Sequence, residues 1–70
     1  MTNLTVKLEN GDSITIENIE TIRTNGDTSS DENDFQLFVP YTTEFYTFIG
    51  SDSTLTVFGK EIKFLLFSQN

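Results

Sequence analysis

Apolar and polar positions alternate from the start of the chain. Leu4, Val6 and Leu8 fall on one side of an extended strand, with Thr5, Lys7 and Glu9 on the other. After Glu9-Asn10-Gly11 the alternation resumes, Ile14 and Ile16 set against Ser13, Thr15 and Glu17. Register decides the turn. A three-residue loop with Gly11 left-handed opposes Val6 to Ile14 and Leu4 to Ile16, so both apolar pairs share a face. A two-residue Asn10-Gly11 turn would put the two apolar sets on opposite faces. The longer loop is therefore predicted.

Beyond Glu17 the apolar phase shifts to Ile19 and then Ile22. A bulge at Glu17-Asn18, inserting one residue, accounts for the shift; a single turn placing Ile19 and Ile22 on one side would do the same. Residues 23–34 then contain no apolar side chain and four carboxylates, which predicts a solvated polar loop. The chain next becomes apolar in both phases. Phe35, Leu37 and Val39 alternate with Phe38, and after Pro40 come Tyr41, Phe45, Tyr46, Phe48 and Ile49. Because proline cannot donate to a ladder, Pro40 is expected at a sheet edge or between strands at 35–39 and 41–49.

Two further turns organise the C-terminal third. Pairing across Ser51-Asp52 opposes Phe48 to Leu55 and Tyr46 to Val57. A type II′ turn at Gly59-Lys60 would set Val57 opposite Ile62 and Leu55 opposite Phe64. These registers predict a three-stranded meander with a core face of Tyr46, Phe48, Leu55, Val57, Ile62, Phe64 and Leu66. Its second face carries Phe45, Ile49, Phe58, Leu65 and Phe67 among threonines and charges.

Composition supports strands throughout. Val, Ile and Thr supply 20 positions and Phe and Tyr another 9 of the 70, and alanine is absent. Such side chains lose rotamer freedom in a helix and suit a pleated sheet. The predicted architecture is all-β: one domain over residues 1–70, with about five or six strands in hairpins that form a small antiparallel barrel or two packed sheets. No stretch approaches the ~20 apolar residues of a spanning helix, so a soluble protein is expected, and the lack of cysteine fits a reducing compartment, the cytoplasm by default.

The absence of cysteine and histidine removes thiolate and imidazole chemistry. What remains for catalysis is carboxylates, and Asp31, Glu32 and Asp34 in a polar loop lack the burial that would separate their pKa values. No enzyme and no cofactor are expected. The same loop lacks the ligand order of an EF-hand, although a looser cation site stays open at this point. With 11 acidic against 4 basic residues, a net charge of −7 disfavours nucleic acid and acidic membranes as partners.

The remaining reading is a non-catalytic protein-interaction module, self-associating in one version. Phe45, Phe58, Leu65 and Phe67 are its candidate partner surface, because so short a chain has little left to cover a second apolar face. Strand 61–67 is a candidate edge for pairing with another chain. Two alternatives stand beside it. One is an acidic mimic of phosphates, of the phage or mobile-element type, using Asp27, Asp31, Glu32 and Asp34 against a nucleic-acid-binding protein. The other is a small structural subunit of a larger assembly.

Overall fold

The computed structural model describes residues 1–35 and 38–69. Among the described residues there are seven strands: β1 (Thr2–Leu8), β2 (Ser13–Ile16), β3 (Ile19–Thr24), β4 (Asp27–Glu32), β5 (Phe45–Gly50), β6 (Thr54–Phe58) and β7 (Ile62–Gln69). They form two antiparallel sheets, one in the order β2-β1-β7 and the other in the order β4-β3-β5-β6. The all-β reading holds in its two-sheet form; among the described residues the sheets do not close into a barrel. Among the described residues no helix is long and apolar enough to cross a membrane.

The opening hairpin has the predicted register, Leu4 opposite Ile16 and Val6 opposite Ile14. Its loop is the three-residue one. Gly11 N–H donates to the Leu8 carbonyl at 3.0 Å and Leu8 N–H to the Asp12 carbonyl at 2.9 Å, with Gly11 at φ +98°. The Asn10 side chain stiffens the turn by accepting from Asp12 N–H at 2.8 Å. The β5–β6 hairpin also matches, pairing Phe48 with Leu55 and Tyr46 with Val57.

Four features depart from the predicted pattern. At Glu17-Asn18 the chain makes a corner between the two sheets instead of a bulge within one. Asn18 turns it at φ +52°, its N–H held by Asn3 Oδ1 at 3.0 Å. The phase shift arises two residues later: β3 pairs Ile19 with Gly50 but Thr21 with Ile49, so Glu20 is the extra residue. Ile19 and Ile22 both face inward as a result.

Second, residues 23–34 are not simply a loop. Asn25 (φ 54°) and Gly26 (φ 73°) form a two-residue turn that folds Asp27–Glu32 back as β4, an exposed edge strand. Asn25 also exchanges bonds with Phe45, donating N–H to its carbonyl at 2.8 Å and accepting its N–H on Oδ1 at 3.0 Å. The turn is thereby tied to the start of β5.

Third, the strand expected over 41–49 begins only at Phe45. Phe35 and residues 38–44 carry no strand, and residues 36 and 37 of the segment expected over 35–39 lie outside the described residues.

Fourth, Gly59-Lys60 is not a hairpin turn. Gly59–Glu61 form one 3₁₀ turn, which carries the chain from β6 across to the other sheet, where β7 pairs with β1. The predicted meander of three consecutive strands is therefore split between sheets. Gly59 is buried at this crossing, and its N–H donates to the Glu44 carbonyl at 2.7 Å. The corner packs main chain against main chain: a Cβ on Gly59 would collide with the carbonyl of Tyr41.

A bulge early in β7 alters the expected core. Lys7 pairs with Phe64 but Leu8 with Ile62, which leaves Lys63 unopposed. Ile62 and, past the bulge, Leu65 and Phe67 then pack on the core side, while Phe64 and Leu66 turn outward. The observed core is Leu4, Val6, Ile16, Ile19, Ile22, Tyr46, Phe48, Val57 and Ile62, drawn from both sheets. It lacks Phe64 and Leu66, and Leu55 joins only as a half-buried flank.

Candidate functional site

The acidic residues singled out from sequence lie on β4 and just after it. Asp27 Oδ1 accepts the Ser29 N–H at 2.9 Å and the Ser29 hydroxyl at 2.8 Å, and these bonds hold its carboxyl below the usual range. Asp31 forms a two-pronged pair with Arg23, at 2.8 and 3.1 Å across the β3–β4 ladder; the guanidinium lowers its pKa as well. Glu32 Oε1 accepts the Asp34 N–H at 2.8 Å. Ser30 completes the hairpin, accepting from Thr24 N–H at 3.2 Å and donating to the Asp27 carbonyl at 2.7 Å. Asp27 and Asp31 thus order their own hairpin, and Glu32 holds the chain just beyond it. Among the described residues no three His, Cys, Asp or Glu side chains are grouped as a metal would need.

The four candidate partner-surface residues do not form one patch. Phe45 and Phe58 stand directly opposite each other across β5 and β6, with ring centroids 6.1 Å apart in an edge-to-face contact. They face outward, and Lys60 Nζ lies 6.0 Å from the Phe58 ring centre. Leu65 and Phe67 instead face the inter-sheet space, where Phe67 stacks on Phe35 at 5.4 Å.

Sequence reasoning missed the exposure of Phe64 and Leu66, which are 50% and 56% exposed on the outer side of β7. This strand lies at the end of its sheet, paired with β1 and with no strand beyond it among the described residues. Beside it runs an apolar groove whose walls include Phe35, Phe38, Val39, Pro40, Phe64 and Leu65. Among the described residues Lys63 is the one ionisable side chain lining it. Among the described residues β7 thus ends its sheet next to this groove, and this is the feature of the molecule best suited to receiving an extended chain.

Tyr46 is the other polar group of note. Its ring is 1% exposed in the core, and its hydroxyl accepts the Tyr41 N–H and lies 3.5 Å from Glu44 Oε2. Burial pushes its pKa up, the opposite of what a base or nucleophile at neutral pH requires. Through the bond to Tyr41 the hydroxyl acts structurally, pinning the segment before β5 onto the core. Tyr46→Phe should therefore cost about 1–2 kcal/mol by stranding that N–H. The pH dependence follows from the shift. An unfolded chain releases this proton first, near the ordinary value of 10.0. The stabilisation is thus complete below that pH and declines as pH rises beyond it. Urea titrations from neutral to strongly alkaline pH should show a steeper alkaline loss for the wild type than for Tyr46→Phe.

Set against protein-family profiles, curated proteins and solved structures, the chain finds no match, so its function has to be argued from the geometry of this edge and its groove.

Proposed function

We propose that this chain is a non-catalytic protein-binding domain that takes an extended apolar segment of another chain onto the free edge of β7. One observation carries the reading: an eight-residue strand at the end of its sheet holds two half-exposed apolar side chains, Phe64 and Leu66, beside an apolar groove. Edge main chain supplies alternating N–H and C=O groups, which give affinity to any extended partner, and the groove selects its side chains. The other free edges are poorer hosts. β2 has four residues, β6 has five, and β4 bears three carboxylates and an interrupted ladder, with Thr24 opposite Asp27 but Ile22 opposite Glu32.

The reading is tested by selecting linear peptides from a random displayed library on the wild-type protein. Enriched sequences should be apolar at alternate positions, and the double variant Phe64→Glu, Leu66→Glu should weaken their binding at least about tenfold. Both side chains are exposed, so the fold should survive the substitutions. Failure to enrich any peptide, or equal binding by the double variant, would remove the proposal.

A further inference from the structure

Resting on that reading, we infer that the segment seated on β7 is the β7 strand of a second copy, joined antiparallel about a two-fold axis beside Leu66. Charge restricts which part of the surface can meet a second copy. Two molecules of net charge −7 repel, so self-association needs a contact element free of carboxylates. From Ile62 to Gln69, β7 has none, and its one charged residue is Lys63. An edge contact through β4 would instead set Asp27, Asp31 and Glu32 against their own images.

Pleating then restricts the register. A two-fold perpendicular to the sheet keeps each side chain on its own face, so opposed residues must be both odd or both even in number within a regular run. The Lys63 bulge breaks that alternation, which leaves Phe64–Gln69 as the regular run. An axis at Leu66 places Leu66 opposite Leu66, Leu65 opposite Phe67 and Phe64 opposite Ser68 of the second copy. No ionisable group meets another within these pairs. Leu65 and Phe67, half-buried on the core side, gain apolar neighbours across the axis, while the exposed Leu66 side chains cover each other outside. The three-stranded sheet becomes six-stranded, in the order β2-β1-β7-β7-β1-β2. So short a contact falls below the ~800 Å² per partner of a standard interface, and a dissociation constant in the micromolar range or weaker follows.

Sedimentation equilibrium on the full chain, from about 1 µM to about 1 mM, reads the association directly. The mass should climb from 8.0 kDa toward twice that value. Leu66→Lys, which opposes two like charges at the axis, should weaken dimerisation at least about tenfold. Because the chain has no cysteine, single introduced thiols report the register. Oxidation should convert Leu66→Cys to a covalent dimer much faster than Thr56→Cys, an exposed site on the other sheet. A wild type that stays monomeric, a dimer indifferent to Leu66→Lys, or equally fast cross-linking at Thr56 would overturn the inference. If the monomeric protein still binds selected peptides, strand addition stands and only the second copy falls. If peptides fail as well, both fall.

Discussion

Phe48→Ala should bring the protein to the brink of unfolding, with a loss of about 3–5 kcal/mol. Phe48 has no exposed surface, and it sits at the centre of the four-stranded sheet, opposite Ile22 on one side and Leu55 on the other. Its ring meets Phe38 nearly edge-on at 6.3 Å and lies 6.5 Å from Tyr46, so truncation empties a space that three elements share. A 70-residue domain typically has only about 4–10 kcal/mol of total stability. The same change at Phe58, 55% exposed on the outer face, should cost far less, because most of that ring already meets water. Urea denaturation of the two variants separates the cases: the midpoint should fall sharply for Phe48→Ala and modestly for Phe58→Ala. Comparable losses would mean that the sheet's two faces had been misassigned.

How far the fold could be read from the residues depended on whether the relevant information was local. Turn chemistry and alternation both lie within a few residues, so the registers of β1 with β2 and of β5 with β6 followed from matching apolar pairs. The Asn25-Gly26 turn is equally local, since that dipeptide is a strong hairpin signal. It escapes notice because β4 has no apolar side chain, and a strand is sought by its apolar positions. An edge strand needs none: its order comes from Arg23 with Asp31 and from the hydroxyls of Ser29 and Ser30.

The corners and bulges are a different matter. Nothing near Asn18 or Gly59 states that the chain changes sheets there, because that choice is made by which distant strand has a free edge. At β7 both phases are apolar, Phe64 and Leu66 in one and Leu65 and Phe67 in the other, so alternation could not tell which pair faces inward. The unopposed Lys63 decides it, and a bulge of one residue is visible only against the partner strand β1. The candidate surface inherited the same ambiguity. Phe45 and Phe58 come together because their register was local, whereas Leu65 and Phe67 point elsewhere because theirs was not.

The crossing at Gly59 supplies the sharpest contrast among the glycines, and substitution there should act through crowding, with no contribution from backbone conformation. Gly11 and Gly26 have positive φ and open space around the missing Cβ, so alanine at either should cost roughly 1 kcal/mol of conformational strain. Gly59 lies outside the left-handed region, but a methyl group there would run into the Tyr41 carbonyl and press on that of Glu44. Both are main-chain atoms in the segment pinned by the Tyr46 hydroxyl and by the Gly59 N–H itself, so neither can retreat without breaking a bond. Gly59→Ala should therefore lose about 3 kcal/mol or more, the upper end for overpacking. For a domain of this size about 3 kcal/mol corresponds to a fall of roughly 12–24 °C in Tm. The damage should also spread to β7, because the 3₁₀ turn sets where that strand meets β1, and Glu61 anchors it by accepting the Glu9 N–H at 2.9 Å. Calorimetry would give the size of the loss, and amide exchange would show whether protection fails first along β7. A Gly59→Ala protein as stable as Gly11→Ala would refute the close main-chain approach and, with it, the corner that leaves the β7 edge open.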